Sequence, residues 1–161
     1  MKNGAVIRLD DHSAKLIELL GERARVALEA IGTRAEKYAK QALTNSMNEG
    51  IDLTQHGEAD NSRVDTGRLR NSVTHAIADN GTEKAVYIGT NVPYAPYHEF
   101  GTGIYATSGG GRRTAWWYQG RDGQYHKTVG LYPLHFLRNA VQNHLDEYQQ
   151  VIQSVFDQLN G

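Results

Sequence analysis

The triplet Asp65-Thr66-Gly67 is the stretch whose residue types most directly suggest chemistry. Aspartic proteases carry their catalytic aspartate in this triplet, and their reaction needs two carboxylates that share one proton. Here the triplet follows a polar stretch, and Arg68 and Arg70 come directly after it. Because two nearby cations favour an ionised carboxylate, they oppose a shared proton. The chain has one such triplet, but a homodimer would supply the second aspartate, so the single copy does not exclude a protease. We expect Asp65 or Thr66 to cap a helical turn instead.

The other residues with chemical potential do not form a recognisable site. His98 and Glu99 are neighbours in sequence and do not face one ligand centre, and His135 and His144 are nine positions apart on a predicted helix. The glycine tract at residues 109–111 lacks the Lys and Ser or Thr of a phosphate-binding loop and leads into a strand. We therefore expect no metal site and no cofactor.

Composition narrows the class of protein further. The 161 residues are 39% hydrophobic and 22% charged, carry a formal net charge of -1 and include no cysteine. Disulfides and thiolate nucleophiles are therefore excluded. The sequence shows neither a signal peptide nor an apolar run of about 18 residues, so we expect a soluble, intracellular protein that contacts no membrane.

Charge is unevenly distributed along the chain. Residues 62–130 include eight Lys or Arg and five Asp or Glu, a local excess of about three positive charges. This excess is compatible with a surface close to DNA, and ordinary solvated charge explains it equally well.

Two long helices are predicted at the ends of the chain. The first runs from Ser13, with Asp10 and Asp11 before it, to a stop at Gly50. Its apolar positions are Leu16, Leu19, Leu20, Ala27, Ala30, Ile31, Tyr38, Ala39 and Ala42. Gly21 and Gly32 suggest a bend or close packing. The last helix is predicted from Pro133 to the C-terminus, with a seam that faces another helix. That seam comprises Val141, Leu145, Tyr148, Ile152, Val155 and Leu159.

Short strands are predicted between these helices. Residues 72–78 and 84–90 form one hairpin, and residues 112–119 and 124–130 form a second that contains Trp116 and Trp117 on opposite faces. A short helical turn between Pro93 and Gly101 separates the hairpins. The sequence thus predicts one α+β domain over residues 1–161, with mobile loops at about 50–64 and 103–113.

Three blocks of sequence together resemble a tailed-bacteriophage family of head–tail joining proteins, which are also called neck, minor capsid or tail-completion proteins. The first block contains Asp65, Thr66, Gly67, Arg68, Leu69, Arg70 and Ser72. The second contains Tyr94, Ala95, Tyr97, Glu99, Gly101 and Thr102, and the third Pro133, Phe136 and Leu137. The third block departs from the family pattern in one place, because Tyr132 stands where the family usually has Arg.

The resemblance implies a structural virion protein without catalytic residues. It implies a homo-oligomeric ring that meets connector or neck proteins on one side and tail-tube or tail-terminator proteins on the other, in a virion assembled in the host cytoplasm. It also implies that Asp65 and Glu99 pair with Arg68, Arg70 or cations of a neighbouring subunit. Two alternatives stay open: an aspartic-type protease that uses Asp65, and a soluble binding module unrelated to virions.

Overall fold

A computed structural model describes residues 13–48, 67–81, 83–120 and 123–158. Its helices are α1 (Ser13–Asn48), α2 (Arg68–Ser72), α3 (Ala95–Phe100), α4 (Phe136–Gln142) and α5 (Leu145–Asp157). Its strands are β1 (Thr74–Asp79), β2 (Lys84–Gly89), β3 (Trp116–Gln119) and β4 (Tyr125–Thr128). The predicted α+β class is confirmed. Asp10, Asp11, Gly50 and the loop at 50–64 lie outside the described residues.

Helix α1 is the central element of the fold, because both the first hairpin and the C-terminal helices pack along it. Its buried residues are Ala27, Ile31, Ala35, Ala39 and Leu43. The predicted apolar stripe therefore holds from Ala27 onward, whereas Leu16 and Leu20, at 55% and 38% exposure, are wrong as core positions. The N-terminal part of α1 extends past the end of α5. Gln158, the residue that follows α5, lies beside Arg23, with 3.3 Å between Gln158 Oε1 and Arg23 Nη1.

Strands β1 and β2 form the predicted antiparallel hairpin, with Asp79 opposite Lys84 at the turn. Gly32 allows α1 to approach this hairpin closely, since a Cβ atom there would overlap the His75 ring and lie 2.9 Å from Val86 Cγ2. The close packing predicted at Gly32 is confirmed. His75 Nδ1 is 2.9 Å from Glu36 Oε2 and its Nε2 is 3.2 Å from Glu29 Oε1, so the ring links β1 to α1.

Strands β3 and β4 form the second predicted hairpin, which does not join the first sheet. Trp116 is half-buried and Trp117 is 64% exposed, as expected for neighbours on opposite faces of a strand. Between α3 and β3, a 3₁₀ turn spans Gly103–Tyr105. The mobility expected for residues 103–113 stays a prediction.

The C-terminal helix differs from its prediction because it is divided into two. It begins at Phe136 rather than at Pro133, and it breaks between α4 and α5 at Asn143 and His144. His144 has φ -126° and ψ 19°, outside the helical region. Its ring stacks on Tyr38 of α1 with 3.5 Å between centroids. Across the break, the Tyr148 hydroxyl donates a hydrogen bond of 2.6 Å to the Ala140 carbonyl.

This break changes which residues of the C-terminal helices face α1. Of the predicted seam, Tyr148 is buried and Val155 half-buried, whereas Val141, Leu145 and Ile152 are exposed. The seam was therefore largely wrong, and Leu159 lies outside the described residues. Val151, which the prediction omitted, is buried against α1 together with Tyr148. The α1–α5 contact is reinforced by polar bonds: Glu147 accepts from the Tyr38 hydroxyl at 2.5 Å and lies 3.0 Å from Arg34 Nε.

Candidate functional site

The three blocks of sequence that resemble the phage family meet in one hydrophobic core. Leu69 of the first block, Ala95 of the second and Phe136 of the third are each less than 5% exposed and belong to the same buried cluster. Leu43 and Ala39 of α1 complete its centre. Burial of apolar side chains from distant parts of the chain is the main stabilising term in folding. These motif residues therefore hold the elements of the domain together.

The first block enters the core through the short helix α2. Gly67 occupies the N-cap position with φ 69°, a left-handed conformation, and Arg68 lies exposed on the first turn. At the end of α2, the Ser72 hydroxyl donates to the Leu69 carbonyl at 2.8 Å and accepts from the Thr90 hydroxyl at 2.6 Å. The helical turn predicted here is confirmed. Asp65 and Thr66, its predicted caps, lie outside the described residues.

The second and third blocks form a tightly bonded unit, residues 95–102 with residues 131–138, which we call the motif junction. Glu99 is at its centre and is only 5% exposed. Its carboxylate accepts hydrogen bonds from the backbone N–H groups of Leu137, at 2.9 Å, and Arg138, at 3.1 Å. Its backbone carbonyl accepts from the His135 N–H at 3.2 Å. Glu99 thus caps the first turn of α4 from a distant part of the chain.

Helix α4 requires this remote cap because its own N-cap residue does not provide one. His135 stands in that position with φ 50° and ψ 37°, and it makes no capping side-chain hydrogen bond. The first four N–H groups of any helix lack partners within the helix, and a negative charge near them is stabilised by the helix dipole. The Glu99 carboxylate meets both requirements. Among the described residues, these two N–H groups bond the Glu99 carboxylate, and the cation partner expected for Glu99 stays a prediction.

Gly101 and Thr102 continue the junction by pairing with the segment before α4. Thr102 N–H donates to the Leu131 carbonyl and Thr102 Oγ1 accepts from the Leu131 N–H, both at 2.9 Å. Gly101 has φ 73°, and a Cβ there would lie 2.8 Å from the Leu131 carbonyl oxygen and 2.9 Å from Pro133 Cδ. Glycine is therefore required at this crossing. Tyr132, the departure from the family pattern, stacks on Tyr105 at 4.0 Å between centroids.

The remaining motif residues lie on the surface of the junction. Tyr94 packs partly against the core and meets His98 edge-on, whereas Tyr97 is 59% exposed. Leu137 and Pro133 are half-buried, and a groove of about 460 Å³ runs between Pro93, Phe100 and Leu137. Both Glu99 oxygens in this groove are used by backbone N–H groups. The geometry therefore suits Glu99 to positioning a helix rather than to transferring a proton.

The described part of the chain contains no cluster of His, Cys, Asp or Glu side chains with the arrangement of a metal site. Within the same ranges, no helix is both long and apolar enough to cross a membrane.

In a comparison with protein families, residues 8–101 match the model described as "Bacteriophage HK97-gp10, putative tail-component". The match spans more than half of the chain and includes the first block and all of the second block except Thr102. The chain belongs to this HK97-gp10-like family. The predicted resemblance to a phage family is confirmed, and the protein is a bacteriophage tail component that acts with other virion proteins. No curated protein and no solved structure matches the chain significantly.

Sequence reasoning found the residues of this HK97-gp10-like junction but not their bonds. The blocks were recognised by residue type, while the capping of α4 by Glu99 joins residues 38 positions apart. One feature of the sequence indicates such a bond: His135 is a poor N-cap residue, so a helix that begins at Phe136 needs a hydrogen-bond acceptor from another part of the chain.

Proposed function

We propose that this tail component works at the head–tail junction of the virion, where it assembles as a ring that joins or completes the neck and the tail. Family membership supports a role in the virion. The observation that carries the ring is the amount of apolar side chain left exposed by the folded chain. Trp117, Tyr125, Leu16, Ile17 and Leu145 are each more than half exposed. Large apolar surfaces of this kind are typical of interaction sites between proteins.

The role we propose is structural rather than enzymatic. Glu99, the carboxylate of the motif that the structure describes, caps helix α4 with both of its oxygens. We propose that the surface residues of the three blocks, such as Tyr97 with its exposed ring, add contacts in the assembly. The partners we propose are the chain itself, connector or neck proteins, and tail-tube or tail-terminator proteins. The local positive charge near the second hairpin suits a position close to DNA.

Native mass spectrometry across a range of protein concentrations tests this proposal, with tail-tube and connector proteins of the same phage added in turn. We expect a closed ring, formed by the chain alone or with one partner, and the partner identifies the side of the ring that it binds. A chain that stays monomeric with every partner would contradict the ring. Neighbouring genes for portal, capsid and tail proteins would argue against a binding module unrelated to virions.

A protease remains the alternative that Asp65 raises. Cleavage of a peptide substrate that pepstatin inhibits, and that Asp65→Asn abolishes, would replace the structural role with an enzymatic one. We expect no such cleavage, since the Asp65 motif is followed by two arginines that favour the ionised carboxylate.

A further inference from the structure

The second hairpin exposes one whole face, which we call the aromatic face. Trp117 pairs with Lys127 and Gln119 with Tyr125 in the antiparallel register, so these four side chains point to the same side. All four are exposed, Trp117 by 64% and Tyr125 by 68%. The opposite face carries the buried Thr128, the half-buried Trp116 and Tyr118, which is 41% exposed. The aromatic face is therefore the more exposed of the two.

This hairpin has little support from the rest of the described chain. Its two strands pair with each other, and none of the described helices packs extensively on them. A two-stranded hairpin on its own is marginally stable in water. The Arg112 guanidinium lies 5.5 Å from the centre of the Trp116 ring, which stiffens the base of the hairpin. An isolated hairpin with exposed aromatic side chains is the kind of element that a partner surface stabilises.

The hairpin region is also one-sided in charge. From Gly103 to His135 the sequence contains four Lys or Arg, including Arg112, Arg113 and Lys127, and a single carboxylate, Asp122. The net charge of this region is about +3 by that count, while the whole chain carries -1. A partner surface that is both acidic and apolar would complement it.

The outer side of α5 has those properties, and we call it the acidic face. Helix α5 contains neither Lys nor Arg, and two of its three carboxylates, Asp146 and Asp157, are exposed about three turns apart. Leu145 and Ile152, which lie seven positions apart and so on one side of the helix, are 53% and 43% exposed. Tyr148 and Val151, which pack on α1, lie on the side of α5 that faces away from the two aspartates.

We propose that the aromatic face of one copy docks on the acidic face of a second copy. This inference rests on the ring proposed above and names its contact. The two faces are different surfaces of one chain, so the contact is heterologous and generates a ring when the rotation closes. Aromatic residues and Arg are enriched in such interfaces. Covering the exposed two-thirds of Trp117 and Tyr125 buries about 200–330 Å², roughly a third of the about 800 Å² that each partner buries in a standard interface.

A protein partner accounts for the aromatic face better than DNA does. Binding to DNA draws its strength from cations on phosphates, and Lys127 is the single cation among the four residues of this face. The acidic face, with its exposed leucine and isoleucine, repels phosphate and needs an apolar partner. One contact between the two faces buries the exposed aromatic side chains of the first and the exposed leucine and isoleucine of the second.

Two variants test the contact, each changed at exposed positions of one face. The hairpin variant carries Trp117→Ala, Tyr125→Ala and Lys127→Glu, and the helix variant carries Leu145→Ser, Asp146→Lys and Ile152→Ser. Sedimentation velocity under the conditions in which the wild type assembles should find each variant alone as a monomer. An equimolar mixture should give a heterodimer and nothing larger, because it retains one intact hairpin and one intact acidic face per pair.

Controls separate this inference from loss of folding and from failure of the ring itself. Tyr87→Ala with Glu83→Lys alters an exposed aromatic side chain and an exposed charge on the first hairpin, and it should assemble as the wild type does. Circular dichroism should show unchanged helix content in all variants, and the single change Trp117→Ala should still weaken assembly if a triple variant misfolds. A wild type that never assembles would overturn the ring and this contact together.

If the wild type and both variants assemble alike, the contact is wrong and the ring stands. A hairpin variant that assembles normally but no longer binds a DNA duplex, measured by fluorescence anisotropy, would also overturn the contact and assign the aromatic face to nucleic acid.

Discussion

The motif junction and the second hairpin are joined by residues 129 and 130, and they use their side chains in opposite ways. In the junction, Glu99 is 5% exposed and Phe136 is fully buried. In the hairpin, Trp117 and Tyr125 are about two-thirds exposed. The buried residues that identify the family thus stabilise the fold, whereas Trp117 and Tyr125 lie outside the three motif blocks. In this protein, the buried part of the motif and the aromatic face proposed for binding are different places.

The largest expected difference between the two regions is in stability. Phe136→Ala should lower the free energy of unfolding by about 3–5 kcal/mol, because it leaves a cavity in the core shared by all three blocks. Trp117→Ala should change the free energy of unfolding of the monomer by no more than about 0.5 kcal/mol, because the side chain is exposed. Urea unfolding of both variants measures these values. Equal losses would mean that the hairpin is part of the folded core.

Removing the cap of α4 should have the next largest effect. Glu99→Ala leaves the N–H groups of Leu137 and Arg138 without their acceptor, so we expect a loss of about 2 kcal/mol in the free energy of unfolding. Glu99→Gln keeps one acceptor oxygen and should lose less. The exposed Glu83 is the matched control, and Glu83→Ala should be close to neutral. If Glu99→Ala leaves stability unchanged but abolishes assembly, Glu99 serves an intersubunit contact instead.

A smaller effect is expected where α1 meets the first hairpin, at His75. Burial opposes a charge on this ring, but hydrogen bonds to Glu36 and Glu29 outweigh it and raise the pKa of His75 above its usual value. A raised pKa in the folded state stabilises the fold at pH values below the unfolded pKa of about 6.5, and that contribution is lost as pH rises through the folded pKa.

Two-dimensional NMR titration of the imidazole protons measures this pKa directly. We expect a value above that of an exposed histidine, and a decrease in the variant Glu36→Gln. A pKa of His75 below 6.5 would show that burial outweighs the two carboxylates and would reverse the expected pH dependence.

Much of the fold was predictable because local patterns determine it. The long first helix, both hairpins and the helical turns at residues 68 and 95 follow from spacing and turn residues. The break in the C-terminal helix was not predictable, because its apolar spacing continues through Asn143 and His144. What stabilises the break is tertiary: the stacking of His144 on Tyr38 and the Tyr148 hydrogen bond. For the same reason the predicted seam placed Leu145 and Ile152 on the wrong side.

The candidate site was predictable in its residues but not in their roles. A carboxylate in a sequence motif suggests an ion pair. Sequence alone does not reveal that Glu99 accepts hydrogen bonds from the start of a helix 38 positions later. The exposure of the aromatic face was likewise hidden, since the strand pattern shows only that Trp116 and Trp117 point to opposite sides.

Hydrogen–deuterium exchange on the monomer and on the assembled protein tests the central comparison most directly. We expect the amides of residues 116–119, 125–128 and 145–157 to exchange more slowly after assembly. The amides of Leu137 and Arg138, which are bonded to Glu99, should be protected to the same degree in both states. Protection that appears on assembly at the motif junction, with exchange in the hairpin unchanged, would show that the motif itself is the binding surface and that the aromatic face is not.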